Sequence, residues 1–280
     1  MPLSVASAMD ISAQPAPLPR SFGALDLQFA VRDGATSAVR TFQQGILRVR
    51  FPNVPKDAAP QAILINTAGG MTGGDQVTMA IALDVGARAV IATQAHEKIY
   101  RASQGHAAIT AAIQMESGAS LEWLPQPTIL FDRARLARVT EVTMAADARL
   151  LAVEAVIFGR TAMSETMKTG ALDDHWTIRR DGRLIHHDRF RMQDDTAALL
   201  SRPSVLDGKA AMATIRLVAP DAAARLDEMR ALLADDGAAS AWNGMLIARL
   251  VAQDGYQLGQ ALARVLTGMR GRPLPPIWTI

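Results

Sequence analysis

The sequence predicts a mainly β protein with a layered β-sheet body and a small α-helical component near the C-terminus. Short segments of alternating apolar and polar residues recur roughly every 8–12 residues up to residue 218, separated by residues that favour turns. Beyond residue 218, apolar residues also recur at the three- and four-residue intervals of amphipathic helices. The change of period therefore predicts strands along most of the chain and helices at its end.

The first half of the chain predicts strands that alternate between two faces. In Ala107–Met115, for example, Ile109 and Ile113 fall on the same face because successive side chains of a strand point in opposite directions. The strands predicted here are Ala24–Val31, Ile46–Phe51, Gln61–Ile65, Val77–Leu83, Arg88–Thr93, Ala107–Met115, Ala119–Trp123 and Thr128–Phe131.

The second half continues the pattern and adds a hairpin. Asp181-Gly182 is a strong signal for a two-residue hairpin turn. Arg149–Phe158 is predicted as a strand, although its alanine and leucine content also suits a helix. The other strands predicted here are Leu136–Met144, Trp176–Arg179, Leu184–Arg189, Ala213–Val218 and Met245–Val251.

Two helices are predicted near the C-terminus. Pro220-Asp221 suits a helix N-terminus, and the residues that follow place Leu226, Met229, Leu232 and Leu233 on one face. A second helix follows Gly255 and is expected to end at Gly268 and Gly271, since glycine favours helix C-termini. Its apolar face contains Leu258, Ala261, Leu262, Val265 and Leu266.

Composition bounds the class of protein. The length of 280 residues suits a single domain over residues 21–280, which is predicted to be β-rich from 21 to 212 and α+β from 213 to 280. Residues 1–20 are predicted to be a disordered leader, and they do not resemble a signal peptide. The formal net charge of +2 does not indicate binding to nucleic acid, and no apolar run reaches membrane-spanning length. Cysteine is absent, which suits a cytoplasmic protein. We therefore expect a soluble cytoplasmic protein that binds neither nucleic acid nor membrane.

A glycine-rich stretch runs from Leu64 to Asp75 and contains four glycines within six positions. A phosphate-binding P-loop would place lysine and a helix after the second glycine pair, whereas this chain has Asp75 and then a predicted strand. The stretch therefore predicts a connection between strands, in which glycine supplies positive φ angles or lets other groups approach the backbone closely. Asp75 is either a turn aspartate that accepts local backbone N–H groups or a functional carboxylate.

The search for catalytic chemistry finds few candidates. None of the five histidines has a zinc-binding spacing, and we expect them to lie on the surface or in the hairpin. No Gly-x-Ser-x-Gly or dinucleotide-binding motif is present. Glu165 is either paired with Arg160 or Lys168 or functional, and we expect Glu122 and Glu154 to pair with arginines. Carboxylates in a chain without cysteine suit hard or borderline ions that are held weakly and in transit.

Several short motifs follow one another along the chain. The double-glycine block Gly69, Gly70, Gly73, Gly74 and Asp75 is followed by Thr93, Lys98, Tyr100 and Arg101 in a Thr-x-x-x-x-Lys-x-Tyr-Arg element. A Leu-Glu-Trp-Leu-Pro-Gln run then follows, with Glu122, Trp123, Pro125 and Gln126, and after it come Gly159, Arg160, Glu165 and Trp278. Together these motifs resemble the urease accessory protein D family, which is called H in some organisms, and the resemblance covers residues 24–280 in family order.

The chain departs from the family pattern at three places. Asn66-Thr67-Ala68 stands where many members have His-Pro-Pro, and Ser164 stands where many have glycine. Pro276 replaces an arginine near the final tryptophan.

The resemblance implies a β-rich, layered, non-enzymatic scaffold for urease maturation. Such proteins bind accessory protein F, which recruits the GTPase accessory protein G, and the assembly docks on apo-urease and helps deliver nickel. The resemblance thus implies dimeric assembly through the F partner, no permanently bound cofactor, and nickel in transit, with Asp75 and Glu165 as candidate nickel contacts. Two alternatives remain: a β-rich hydrolase-like enzyme using Asp75 and Glu165 as an acid/base pair, and a scaffold of an unrelated complex.

Overall fold

Two large β-sheets face each other across the interior of the protein. The computed structural model describes residues 19–55, 58–160, 163 and 165–278. The predicted β-rich body with helices near its C-terminal end is confirmed. The predicted disordered leader falls, up to residue 18, outside the described residues, as does Ser164.

The described residues form seventeen strands and three α-helices, together with short 3₁₀ turns. The strands are β1 (Phe22–Arg32), β2 (Ala35–Gly45), β3 (Leu47–Arg50), β4 (Gln61–Asn66), β5 (Gln76–Leu83), β6 (Arg88–Thr93), β7 (Glu97–Ile99), β8 (Ala107–Met115), β9 (Ser120–Leu124), β10 (Thr128–Leu130), β11 (Arg135–Met144), β12 (Arg149–Phe158), β13 (Thr169–Arg180), β14 (Arg183–Asp195), β15 (Ala211–Val218), β16 (Gly237–Trp242) and β17 (Met245–Ala252). The helices are α1 (Thr196–Leu200), α2 (Leu226–Leu233) and α3 (Gly255–Arg270).

The chain passes repeatedly from one sheet to the other. The seven-stranded sheet has the order β14-β13-β11-β8-β5-β1-β2. The ten-stranded sheet has the order β16-β17-β15-β12-β9-β6-β4-β3, with β10 beside β12 and β7 beside β10. Neighbours such as β5 and β8, or β6 and β9, are parallel. Parallel neighbours need a long crossover, and here the crossover is a strand of the opposite sheet. The glycine-rich stretch connects one sheet to the other, because it joins β4 to β5, and we call it the β4–β5 crossover.

The main core lies between the sheets, and a second core lies under the helices. In β1, alternate side chains point inward, with Leu25, Leu27 and Phe29 buried. On the outer face of the ten-stranded sheet, helices α2 and α3 cover a separate apolar cluster that includes Leu258 and Met229. The strands from the C-terminal part of the chain belong to this same sheet, so both cores share the ten-stranded sheet.

Some elements differ from the sequence-based expectation. Strand β2 was not predicted because it is an edge strand without buried residues, so no apolar alternation marks it. The hairpin turn at Asp181-Gly182 is confirmed, but its two strands are longer than predicted. Asp221 does not cap a helix with its side chain, which instead binds Arg149.

The last helix ends later than one of its two predicted stops. Gly268 lies inside α3, where an added Cβ would come 2.5 Å from the side chain of Leu232. Gly271 adopts the left-handed conformation that terminates the helix. No helix among the described residues is both long and apolar enough to cross a membrane.

Candidate functional site

The two glycine pairs let the β4–β5 crossover lie against the segment that follows β7. The backbone N–H of Met71 donates to the Lys98 carbonyl at 2.8 Å, and the Tyr100 N–H donates back to Met71 at 2.7 Å. A Cβ at Gly70 would lie 2.7 Å from the Lys98 oxygen, and one at Gly73 would lie 2.1 Å from the Gln104 oxygen. Because no side chain fits at these distances, the expected close approach of backbone to backbone is confirmed at both positions.

Asp75 closes this crossover with its side chain. One carboxylate oxygen accepts the Ser21 N–H at 2.7 Å, and the other accepts the Thr72 N–H at 2.8 Å. The residue is only 5% exposed. The turn-aspartate interpretation is therefore confirmed, and the carboxylate also fixes the start of β1 to the crossover.

An aromatic and charged stack joins this region to Glu165. The Tyr100 hydroxyl donates to the Gly69 carbonyl at 3.1 Å, and its ring meets Phe131 edge-on at 5.0 Å between centroids. The Arg160 guanidinium lies 4.3 Å from the Phe131 ring centroid and donates to Glu165 at 2.5 Å. The predicted pairing of Glu165 with Arg160 is confirmed.

The structure thus gathers blocks that are far apart in sequence into one region, which we call the motif cluster. Lys98 and Arg101 are exposed there, and Tyr100 is 39% exposed. The cluster consists of Gly69–Asp75, Lys98–Arg101, Phe131, Gly159, Arg160 and Glu165.

The Leu-Glu-Trp-Leu-Pro-Gln run holds the C-terminal segment. Glu122 accepts from Arg270 and from Arg272, each at 2.7 Å, as the sequence predicted for an arginine partner. The Gln126 side-chain amide donates to the Ile277 carbonyl at 3.0 Å, and the Trp278 indole donates to the Leu124 carbonyl at 3.0 Å. The residues of this run therefore fix residues 270–278 against β9 and the segment that follows it.

A group of charged residues, which we call the charged core, lies between the sheets. Arg138 from β11 is bonded to Glu154 from β12 at 2.5 Å. Arg138 also donates to both carboxylate oxygens of Asp174, at 3.1 and 2.6 Å. The Trp176 indole donates to the second oxygen of Glu154 at 3.1 Å. Arg216 completes the group, whose four members are at most 9% exposed: Arg138, Glu154, Asp174 and Arg216.

The pKa values in the charged core reflect the balance between burial and pairing. Burial raises the pKa of Glu154 to about 7 and outweighs the opposing charge of Arg138. Burial acts to lower the pKa of Arg138, but Asp174 and Glu154 reverse that effect and raise it. Burial lowers the pKa of Arg216, and its neighbouring carboxylates do not compensate. Arg216 is therefore the less well paired of the two buried guanidinium groups.

Two cavities adjoin this core, and Glu154 lines both. The first, of about 170 Å³, is lined by apolar residues of both sheets together with Glu97 and His96. Burial raises the pKa of Glu97 to about 7, although the Asn66 side chain donates to it at 2.9 Å. Asn66 is the residue that stands where many family members have histidine, so this departure faces the first cavity. The second cavity, of about 280 Å³, lies beside Arg216 and Arg249.

The two carboxylates predicted to contact nickel, Asp75 and Glu165, are both engaged by other groups of the protein. Asp75 is engaged by backbone N–H groups and Glu165 by Arg160. The part of the chain that the structure describes contains no group of three or more His, Asp or Glu side chains placed to hold a metal ion. A nickel contact at Asp75 or Glu165 stays a prediction.

Sequence reasoning missed most of the charged core. Arg138 and Asp174 stand in phase with the inward apolar residues of their strands, and this in-phase charge was the available signal. Glu154 was expected to pair with an arginine, and this is confirmed. His186 lies in the hairpin, as expected, within β14, where it is 8% exposed and its Nε2 accepts a hydrogen bond from Arg216.

Comparison with known proteins identifies the family. The sequence profile of the family described as "UreD urease accessory protein" matches residues 21–279. A urease accessory protein UreD from Rhizobium leguminosarum bv. viciae is 45% identical over 250 residues, which cover 89% of this chain and 91% of that protein. The UreD protein of Azorhizobium caulinodans is 45% identical over 264 residues, covering 93% of this chain and 97% of that protein. A third, from Mesorhizobium japonicum, is 42% identical over 266 residues, or 93% and 95% of the two chains. With a match along nearly its whole length, this chain belongs to the UreD family of urease accessory proteins.

Proposed function

We propose that the protein is a non-catalytic urease maturation factor that joins accessory proteins F and G, docks on apo-urease and helps insert nickel into its active site. The observation that carries this proposal is the match of residues 21–279 to a family named for its accessory role to urease. The GTP chemistry then belongs to the partner G, and this chain needs no nucleotide-binding motif of its own. Nickel is cargo in transit and not a resident cofactor.

The motif cluster is the surface on which we expect a partner to bind. Its glycines and Asp75 hold the crossover in place, whereas the exposed side chains of Lys98 and Arg101 are not needed for that. A family motif that combines a rigid backbone with exposed cationic side chains suits a docking surface, because preformed surfaces lose little entropy on binding. Assembly into a dimer through the F partner is part of the same proposal.

The two cavities beside the charged core support a route for the ion through this subunit. Glu154 lines both of them, and Glu97 lines the first. A carboxyl group whose pKa lies near 7 readily loses its proton to solvent at neutral pH when a divalent ion binds. Asp75 and Glu165 remain candidate contacts on the way, although an ion at either must replace a hydrogen bond that the carboxylate already accepts.

Co-expression with F, G and apo-urease tests the proposal. We expect affinity purification of this chain to capture F, G and urease, and we expect urease matured with it to contain more nickel than urease matured without it. If the chain captures none of them and urease nickel content is the same in its absence, the proposal is wrong.

Paired variants separate assembly from nickel delivery. Lys98→Glu and Arg101→Glu reverse exposed charges of the motif cluster and should reduce capture of partners, whereas Arg183→Glu, in the exposed hairpin, should not. Glu165→Ala and Asp75→Asn should lower the nickel content of urease while the complex still assembles. If these two variants instead abolish assembly, both carboxylates have a structural role only.

A further inference from the structure

Two histidines that are twelve positions apart in the sequence meet on the outer face of the seven-stranded sheet. His175 lies in β13 and His187 in β14, and the hairpin register places His175 opposite Arg189 and His187 opposite Thr177. The two imidazole rings are therefore diagonal neighbours on adjacent strands, and their centroids are 6.3 Å apart. Trp176, which lies between His175 and Thr177 in β13, is buried in the core, so the two rings are on the opposite, outward face.

Hydrogen bonds leave one nitrogen of each ring free. His175 Nε2 lies 2.8 Å from a carboxylate oxygen of Asp173, which also accepts from Arg189 at 2.8 and 2.7 Å. A carboxylate paired with arginine is ionised and can only accept hydrogen bonds, so Nε2 carries the proton and Nδ1 of the neutral ring keeps its lone pair. His187 Nδ1 lies 3.3 Å from the Thr177 hydroxyl. His175 Nδ1 and His187 Nε2 thus form no hydrogen bond with any described residue.

The geometry of the pair suits a shared metal ion after a small rotation of the side chains. A metal binds an imidazole nitrogen at about 2.0–2.1 Å, which places the centroids of two rings around one tetrahedral ion about 5 Å apart. The two rings must therefore approach each other by about 1 Å from their separation of 6.3 Å. The His187 side chain is exposed, so the surrounding residues do not prevent this movement. A carboxylate commonly holds the second ring nitrogen of a metal-binding histidine, and Asp173 is placed to do so for His175.

Charge alone does not select a cation on this face. Asp173 and Glu141 lie there, but so do Arg179, Arg189 and Arg191. Binding must therefore depend on coordination by the neutral ring nitrogens. Imidazole ligands suit first-row transition ions, whereas Mg²⁺ and Ca²⁺ prefer oxygen ligands.

We propose that His175 and His187 together bind one divalent first-row transition ion, with water molecules as its remaining ligands. Two protein ligands hold an ion less firmly than the four ligands of a structural zinc site, so the ion can exchange. The outer face of this sheet is open to such exchange, because α2 and α3 cover the other sheet. The choice of Ni²⁺ as the natural ion rests on the proposed function, whereas the site itself does not.

NMR of the histidine rings in the full chain tests this inference at pH 7.5. The chain has five histidines, of which His106 is exposed and lies outside the pair. We expect paramagnetic Ni²⁺ to broaden the His175 and His187 signals together, at concentrations at least about tenfold below those that broaden the His106 signal. Zn²⁺ should shift the same two signals, and Mg²⁺ should shift neither. If the two signals respond at different concentrations, or no earlier than that of His106, the histidines do not share an ion and the proposal is overturned.

Variants locate the site. His187→Ala should raise the Ni²⁺ concentration that broadens the His175 signal at least about tenfold, and His175→Ala should do the same to the His187 signal, because each removes one of the two ligands. Both positions are on the outer face of the sheet, so neither substitution disturbs the core. His106→Ala is the matched control and should leave both signals unchanged in their response. If either signal responds as in the parent after the other histidine is removed, the proposal is overturned.

The outcome is independent of the proposed role in urease maturation. The titration uses the isolated chain, so failure to bind Ni²⁺ at these histidines leaves that role untouched. A chain that binds Ni²⁺ here but captures no partner contradicts only the maturation role.

Discussion

The guanidinium of Arg138 and the carboxylate of Glu154 face each other at 2.5 Å in the interior, one from each sheet. The same guanidinium holds Asp174 on the neighbouring strand of its own sheet. Buried ion pairs of this kind add little net stability but are costly to break from one side. The pair therefore fixes how the two sheets face each other beside Glu154, which lines both cavities.

Removing Arg138 tests this relationship. Arg138→Met leaves Glu154 and Asp174 buried without their shared cation, and we expect it to lower the free energy of unfolding by about 3–5 kcal/mol in urea titrations. Arg149→Met is the matched control, because Arg149 is bonded to Asp221 at a site where both side chains are more than 40% exposed. It should cost less than about 1 kcal/mol. Equal effects of the two substitutions would mean that burial of the first pair is energetically irrelevant.

Substitution of glycine by alanine should have opposite effects on stability in the glycine-rich crossover and in helix α3. Gly73→Ala would bring a Cβ to 2.1 Å from the Gln104 carbonyl oxygen, so the crossover must shift, and we expect a loss of about 3 kcal/mol or more. Gly259→Ala, in α3, meets no atom within 4 Å and should raise stability by about 0.5–1 kcal/mol. Thermal unfolding of both variants checks the prediction. A Gly73→Ala protein as stable as the parent would show that the crossover does not need this close approach.

Strands can be predicted from the sequence where one face of the strand is buried, because apolar and polar residues then alternate. Strands without a buried face carry no such pattern and are missed. Strand β1 and the Asp181-Gly182 hairpin were predictable because one face is buried and the turn chemistry is local. Strand β2 was not, because its pairing with β1 is made by backbone groups on an exposed edge.

The contacts of the candidate site also divide into those that the sequence predicts and those that it does not. The contacts of Asp75 with Thr72 and of Glu165 with Arg160 are local in sequence and could be anticipated. The contact of Asp75 with Ser21 spans 54 residues and could not. Arg138, Asp174 and Arg216 meet only after β11, β13 and β15 have been placed in two sheets. No local pattern specifies those distances, although an inward charge within an apolar strand face marks each residue for attention.

Loss of the ion pairs between Glu122 and the C-terminal segment should change the dynamics of that segment locally. Glu122→Ala removes the acceptor shared by Arg270, which is 1% exposed, and Arg272. We expect amide hydrogen exchange in residues 271–278 to become at least about tenfold faster, because local opening no longer breaks these bonds. Exchange in β1 should not change. Glu116→Ala, at an exposed position after β8, is the control, and comparable acceleration in that variant would contradict the assignment.

The raised pKa of Glu97 predicts the direction of a pH effect. Its value of about 7 in the folded protein exceeds the ordinary value of 4.5, so the folded state binds more protons between these limits and stability falls as pH rises through this range. Glu97→Gln cannot ionise and keeps an acceptor for Asn66, so its stability relative to the parent should increase from pH 4.5 to pH 7. The gain should level off above pH 7 at about 2–3 kcal/mol. Urea titrations across this range measure the difference, with Glu141→Gln, on the exposed face of β11, as a control. A difference that does not vary with pH would show that Glu97 ionises as freely in the folded protein as in the unfolded chain.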